Sequence, residues 1–184
     1  MIQSNRKKIF FIFLQPFGDF KSIIYERGIQ MTKEEIIKKH FNTVYRLALS
    51  QTKNKAYADD VTQDVFLRFL NKERSFESDE HLKAWFIRVT INCSKSVFLS
   101  SWFKKCVPLS EELTFDTEEK SDVYYAVADL PPKYRTAIHL FYYEDLSISE
   151  IAKILDTKES TIKSHLHRGR ELLKTKLKGG YDFV

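Results

Sequence analysis

Apolar residues recur at steps of three and four positions from Thr32 onward, which is the spacing of one buried face on an α-helix. The first such stripe consists of Ile36, Ile37, Phe41, Val44, Tyr45 and Ala48. Thr32 and Glu35 precede it with the spacing of a capping box, in which each residue's side chain binds the other's backbone N–H. The pattern therefore predicts a helix that begins directly after Thr32.

Two further stripes predict helices over about residues 56–70 and 80–98. Their apolar positions are Val61, Val65, Phe66 and Phe69 in the first, and Leu82, Trp85, Phe86, Val89, Cys93 and Val97 in the second. No segment shows the alternation expected of a half-buried strand. Three stripes in succession predict a small helical bundle over residues 31–103.

The helical period lapses over residues 104–122, where the chain becomes acidic and polar. This composition is typical of a flexible linker. An apolar segment then leads to Pro131-Pro132, and a helix is predicted over about 133–143, since proline is well tolerated in a first turn. We expect an all-α fold with two small helical domains, the second over residues 123–178, joined by the acidic linker and followed by a tail over 179–184.

Residues 146–170 predict a helix-turn-helix within this second domain. A short helix is apolar at Ile148, Ile151, Ala152 and Leu155, and a three-residue turn follows. The next helix has its buried positions at Ile162, Leu166, Gly169 and Leu173. The small Ala152 side chain allows the two helices to cross closely.

The opposite face of that second helix is polar and basic. It carries Lys163, Ser164, His167, Arg168, Arg170 and Lys174. Such side chains can bind phosphates and reach base edges in a major groove, whereas a lone basic helix would more simply be a solvated surface. His165 and His167 are two positions apart and so point away from each other, which argues against a metal site.

Composition narrows the possible functions. Hydrophobic residues make up 43% of the chain and charged residues 30%, and the net charge of +5 permits a polyanionic partner. No run approaches the roughly 18 apolar residues of a membrane span. The two cysteines, Cys93 and Cys106, support neither a disulfide framework nor a zinc site and fit a reducing cytoplasm.

The first 30 residues lack a sustained helical period. Arg6-Lys7-Lys8 precedes six apolar residues, too few for a signal peptide, and no small-residue cleavage site follows. We therefore expect residues 1–30 to be a poorly structured or mis-called extension, with Met31 as the natural start. No nucleotide-binding loop, catalytic carboxylate pair or nucleophile with its base is evident, so we expect neither an enzyme nor a bound cofactor.

Three C-terminal segments, residues 130–135, 146–155 and 160–171, together resemble the C-terminal domain of extracytoplasmic-function (ECF) sigma factors. In that family the domain docks on the flap of the polymerase β subunit, and its second helix reads the minus-thirty-five promoter element. The resemblance implies that DNA is contacted by Ser160, Thr161, Lys163, Ser164, His167, Arg168 and Arg170. Asp156 stands where a glycine is usual in the turn, but aspartate tolerates the left-handed conformation.

Residues 58–69 resemble the family's polymerase-binding helix, which packs on the clamp helices of the β′ subunit. At about 100° per residue, one flank of this helix carries Asp60, Gln63, Asp64 and Leu67. Taken alone, this stripe would also fit an ordinary acidic surface.

Residues 75–95 resemble the segment that melts the promoter and reads its minus-ten element. Arg88, Asn92 and Lys95 lie within about 60° of one another on the predicted helix, so they can bind strand phosphates and the edge of an unstacked base. The resemblance places a pocket for a flipped base at residues 76–81. Trp85 could stack on a base, but its place in the apolar stripe favours the core.

Taken together, the resemblance implies a cytoplasmic, non-enzymatic sigma factor that binds core RNA polymerase and promoter DNA and helps to melt the promoter. It also implies an anti-sigma partner, which is often membrane-bound. The alternative is a stand-alone helix-turn-helix regulator that binds duplex DNA without polymerase.

Overall fold

The structure is a computed structural model that describes residues 23–24, 30–71, 76–99 and 122–178. Its helices form two units, one N-terminal and one C-terminal. The N-terminal unit contains α1 (Lys33–Thr52), α2 (Lys55–Leu70) and α3 (Asp79–Leu99). The C-terminal unit contains α4 (Asp122–Ala128), α5 (Pro132–Tyr142), α6 (Ile148–Ile154) and α7 (Glu159–Lys178). The prediction of an all-α fold with two helical domains is confirmed.

The helix starts follow from local side-chain chemistry. At the start of α1, Thr32 Oγ1 accepts a hydrogen bond from the Glu35 backbone N–H at 3.2 Å, while the Thr32 N–H donates to Glu35 Oε2 at 2.8 Å. The predicted capping box is thus formed. Asn54 caps α2 with a single hydrogen bond, which its Oδ1 accepts from the Tyr57 N–H at 3.1 Å. Lys53, with a φ of 56°, lies in the sharp turn between α1 and α2.

The core of the N-terminal unit is rich in aromatic rings. Phe66 and Phe86 are fully buried with ring centroids 5.4 Å apart, and Phe41 stacks on Phe66 at 6.1 Å. Trp85 packs at 5.2 Å from Phe86 and 6.2 Å from Phe69. Trp85 is half-buried and packs against this core, as its place in the apolar stripe predicted.

Helices α6 and α7 form the predicted helix-turn-helix. Ser147 begins α6 with a second capping box, made with Glu150. Leu155 ends α6, and Asp156 follows with a φ of 49°, the left-handed conformation expected at this position. Ile162 and Leu166 are buried as predicted, so the opposite face of α7 is turned to solvent.

Gly169 lies where α7 crosses α5. A Cβ atom at this position would lie 3.0 Å from Cγ1 and 3.3 Å from Cδ1 of Ile138, which is itself buried. Glycine therefore allows the closest approach of these two helices.

The second hydrophobic core extends across both units. Leu47 of α1 and Ile87 and Ile91 of α3 are buried together with residues of the C-terminal unit such as Leu130 and Ile151. These three side chains lie outside the stripes that define the first bundle. Two joined domains were predicted, but their shared core was not.

Polar contacts reinforce this packing. Arg135, only 4% exposed, donates from Nη1 to the carbonyl oxygens of Ala128 at 2.8 Å and Leu130 at 3.0 Å, and from Nη2 to that of Gln51 at 3.3 Å. Lys83 lies 3.1 Å from Oε2 of the buried Glu144. The two units are thus joined by apolar, hydrogen-bonded and ionic contacts.

A short antiparallel pair, β1 (Ile23–Ile24) and β2 (Gln30–Met31), precedes α1. It was not predicted, because two residues are too few to show an alternating pattern. The remainder of residues 1–30, the tail over 179–184 and all of the predicted 104–122 linker except Asp122, which begins α4, lie outside the described residues. None of the described helices combines the length and apolar character that a membrane crossing requires.

Candidate nucleic-acid interface

The outer face of α7 presents the predicted base-reading and phosphate-binding side chains. Thr161 is half-buried, and the other six are exposed: Ser160, Lys163, Ser164, His167, Arg168 and Arg170. This face lies opposite the buried Ile162 and Leu166, so it is free of the core. We call it the α7 face.

Arg170, at the edge of the α7 face, is held by a tyrosine. Arg170 Nε donates to the Tyr142 hydroxyl at 2.9 Å, and its guanidinium lies 5.6 Å from the Phe141 ring. A hydrogen bond from Arg168 lowers the pKa of the Tyr134 hydroxyl. The contacts with Tyr142 and Phe141 restrict the Arg170 guanidinium, so it would lose less conformational entropy on binding an anion.

His165 is turned toward the protein. Its ring lies 5.6 Å from that of Tyr134, and partial burial, followed by the charges of Lys133 and Arg168, lowers its pKa. His167 is exposed. Within the described ranges, no group of three or more histidine, cysteine, aspartate or glutamate side chains could hold a metal ion.

A second polar row lies on α3. Arg88, Asn92 and Lys95 are all exposed on one side of this helix, as the spacing predicted. Arg88, however, is engaged with the other unit: its Nε donates to the carbonyl oxygen of Ile154 at 3.1 Å and its Nη2 to that of Lys153 at 3.3 Å. One member of the row therefore binds the end of α6 in this arrangement.

The segment before α3, where a pocket for a flipped base was expected, is partly occupied by core side chains. Phe76 is 4% exposed and packs edge-on against His81 at 5.7 Å and Trp85 at 5.8 Å. Ser78 accepts a hydrogen bond from the His81 N–H at 3.2 Å and so caps the helix. The exposed positions in this segment are Glu77, Glu80 and His81.

The predicted polymerase-binding flank lies on α2. Asp60 and Gln63 are exposed, whereas Asp64 and Leu67 are half-buried. Arg68 donates to Asp64 at 2.9 Å. Burial, together with a hydrogen bond to Asp64, raises the pKa of the Cys93 thiol to about 12, so this cysteine stays protonated and unreactive at neutral pH.

The residues that tie the two units together were missed. Lys83, Gln51, Arg135 and Glu144 show no pattern that distinguishes them from ordinary surface residues, because their partners are distant in sequence. Only Arg135 gave a signal, as part of the segment that resembles the family.

Comparison with known families assigns both units. Sigma-70 region 2 matches residues 36–103, which include most of α1 and all of α2 and α3. Sigma-70, region 4, matches residues 120–173, which include the helix-turn-helix.

Similar proteins are found in Bacillus subtilis (strain 168). The chain is 31% identical to RNA polymerase sigma factor SigV over 144 residues, which cover 75% of this chain and 86% of the relative. It is also 31% identical to ECF RNA polymerase sigma factor SigM over 156 residues, covering 78% of this chain and 94% of the relative.

Solved structures share the fold. The sigma factor RpoE from Bartonella quintana, determined in complex with the anti-sigma factor NepR, superposes with a TM-score of 0.67 at 24% identity, covering 79% of this chain and 96% of that one. CnrH, determined in complex with the cytosolic domain of CnrY, gives a TM-score of 0.58 at 20% identity, covering 81% and 89%.

The two matched regions and the relatives indicate the same family, and the exposed α7 face fits it. The chain belongs to the extracytoplasmic-function group of sigma factors.

Proposed function

We propose that this chain binds core RNA polymerase in the cytoplasm, directs it to a set of promoters and helps to melt them. The observation that carries the proposal is the presence of two separate polar surfaces, one on each helical unit. The α7 face belongs to a helix-turn-helix, and the α3 row belongs to a region matched by Sigma-70 region 2. A regulator that only binds duplex DNA needs the first surface and not the second.

Each surface suits a different form of DNA. The α7 face combines cations with hydroxyl and imidazole groups, so it can bind phosphates and read base edges of the duplex minus-thirty-five element. The α3 row places an amide between two cations. This arrangement fits a single strand, whose phosphates bind Arg88 and Lys95 while Asn92 meets the edge of an unpaired base.

The polymerase contact is assigned to the α2 flank of Asp60, Gln63, Asp64 and Leu67, with the C-terminal unit docking on the β flap. An acidic flank with one apolar side chain suits a basic partner helix such as those of the β′ clamp. The polymerase supplies the chemistry, so this chain acts as a non-enzymatic subunit without a cofactor. The neighbouring complexes of RpoE with NepR and of CnrH with CnrY support an anti-sigma partner for this chain as well.

The test is reconstitution with core polymerase. The chain should form a complex with the core enzyme and produce a transcript from a promoter selected out of a random library. If the chain binds duplex DNA tightly alone and does not associate with core polymerase, it is a stand-alone regulator and the proposal is wrong.

A further inference from the structure

A cavity of about 320 Å³ lies between the two helical units. One wall is formed by Arg46, Leu49 and Ser50 of α1 together with Lys53 at its end, and the other includes His139 and Tyr143. This volume lies at the lower end of the range of small-molecule sites, which is about 300–1,000 Å³. The cavity is separate from the α7 face, the α3 row and the acidic flank of α2.

The charge of the lining is one-sided. Arg46 and Lys53 both line the cavity, and no carboxylate does. Arg46 makes no ion pair with any described residue, and Lys53 has only the distant Asp129 carboxylate, at 3.8 Å. Burial, followed by the charge of Arg135, lowers the pKa of Lys53, so its positive charge is poorly compensated here. An anion would offset both charges.

Two polar atoms of lining residues have no hydrogen-bond partner. They are Ser50 Oγ and His139 Nε2, and His139 is only 5% exposed. Both atoms are buried, so they do not reach the open space of the cavity in this arrangement. The groups that can bind an anion in the cavity are therefore the Arg46 guanidinium and the Lys53 ammonium.

The rest of the lining is apolar, with Leu49, Val127, Ala128 and the Tyr143 ring. We infer that the cavity binds a small amphipathic anion, in which an aromatic or aliphatic group carries one carboxylate, sulfonate or phosphate. The anionic group lies between Arg46 and Lys53, and the apolar group packs on Leu49 and Tyr143.

A ligand bound in the cavity affects the packing of the two helical units. Because its walls come from both units, the site is complete only while the units are packed together. A ligand that binds there stabilises the packed arrangement and holds Arg88 against the end of α6. The effect of this ligand on transcription rests on the proposed function, whereas its binding does not.

The probe for a direct test is 1-anilinonaphthalene-8-sulfonate, an apolar anion whose fluorescence rises on binding. We expect saturable binding to the full-length chain and displacement by phenyl phosphate, but not by phenol or inorganic phosphate at the same concentration. Arg46→Gln should weaken binding by roughly tenfold, because a charge-assisted contact is lost. Ala128→Met should also weaken it by filling the cavity.

The matched control is Lys38→Gln, which removes one exposed positive charge from the same helix. It should bind the probe within twofold of the unmodified chain. Equal affinities for Arg46→Gln and Lys38→Gln, or unchanged binding by Ala128→Met, would overturn the inference. The inference would also be overturned if a synthetic peptide of residues 104–121 displaced the probe at lower concentration than phenyl phosphate does. The occupant of the cavity would then be the chain's own acidic segment.

None of these measurements uses polymerase. A failure to bind the probe leaves the sigma-factor proposal intact, and a failure to bind polymerase leaves this site intact.

Discussion

Arg88 on α3 binds the carbonyl oxygen of Ile154 at the end of α6, with a distance of 3.1 Å from Nε to the oxygen. The side chain proposed to hold the melted strand thus joins the two helical units. These two bonds use two of the five guanidinium N–H donors, so the complete set is open to a phosphate only when Arg88 leaves α6. Separation of the two units would therefore release the whole Arg88 side chain for the proposed contact with the DNA strand.

Glu144→Ala should favour this movement without touching either DNA-binding surface. Glu144 is buried, accepts from Lys83 at 3.1 Å and from Thr43 Oγ1 at 3.0 Å, and so joins the C-terminal unit to both α1 and α3. Breaking such a network costs about 1–3 kcal/mol, which raises the population of separated units by roughly fivefold to 150-fold. Small-angle X-ray scattering should show a larger radius of gyration. Glu171→Ala, an exposed change on α7, is the control, and equal radii for the two variants would contradict the expectation.

Asn92→Ala should reduce discrimination at the minus-ten element. The amide is the member of the α3 row that can read a base, so its loss should lower transcription from the preferred promoter relative to promoters altered in that element.

Lys174→Ala should instead weaken DNA binding on all sequences and flatten its salt dependence, because it removes one exposed cation. Transcription from a panel of promoters with single substitutions measures both effects. Uniform loss for both variants would refute the assignment.

Asp60→Lys should impair polymerase binding by roughly tenfold or more, because a like charge facing a basic partner is repelled. Asp60 is exposed on α2, so the fold should be unchanged. The measurement is the affinity of the labelled chain for core polymerase. Glu34→Lys on α1, whose side chain is 43% exposed, controls for the change of net charge. Equal affinities for the two variants would show that the flank is not the contact.

Gly169→Ala should destabilise the chain. The added methyl group meets the buried Ile138 side chain at 3.0 Å, and overpacking of this kind costs about 1–3 kcal/mol. The better helix propensity of alanine returns at most about 1 kcal/mol, so a net loss of about 1 kcal/mol is expected. Urea unfolding followed by circular dichroism measures it. Arg170→Ala is not a suitable control, because the Arg170 side chain binds Tyr142. The suitable control is Glu171→Ala, which should change the free energy of unfolding by less than about 0.5 kcal/mol.

Stability should fall as the pH is lowered from about 6.5 to 4. Burial, followed by the charge of Arg46, lowers the pKa of His139 from 6.5 to about 4. In this pH range the unfolded chain binds a proton at His139, whereas the folded chain does not. The contribution of His139 to stability is therefore complete above pH 6.5 and is lost progressively as the pH falls to 4. The loss approaches roughly 3 kcal/mol at the low end of this window.

Urea unfolding at pH 7 and pH 5 should show this dependence, and His139→Gln should reduce it. The exposed His167→Gln is the matched change and should retain the dependence. If His139→Gln and His167→Gln show the same dependence of stability on pH, His139 is not the group responsible.

The sequence predicted the helices and the helix-turn-helix because these depend on neighbouring residues. The stripe from Ile36 to Ala48, the Thr32–Glu35 box and the left-handed Asp156 are all local features, and each was confirmed. The placement of the DNA-binding and polymerase-binding residues on exposed faces agrees with the resemblance, while their roles stay predictions.

The contact between the units could not be predicted, because its partners are distant in sequence. Ile87 and Ile91 are additional apolar positions on a helix whose core stripe was already complete. Arg88 was recognised as a surface cation, but nothing local indicates that its partner is a backbone carbonyl 66 positions further along the chain.

The shared core of Leu47, Ile87 and Ile91 with the C-terminal unit sets how readily the chain responds to its partner. If polymerase accepts only the separated units, its apparent affinity is the intrinsic affinity multiplied by the fraction of chains that are open. That fraction depends on three apolar side chains that touch neither promoter nor polymerase in this scheme. Evolution could therefore adjust the threshold for transcription by changing a methyl group at Leu47, Ile87 or Ile91, with both recognition surfaces left unaltered.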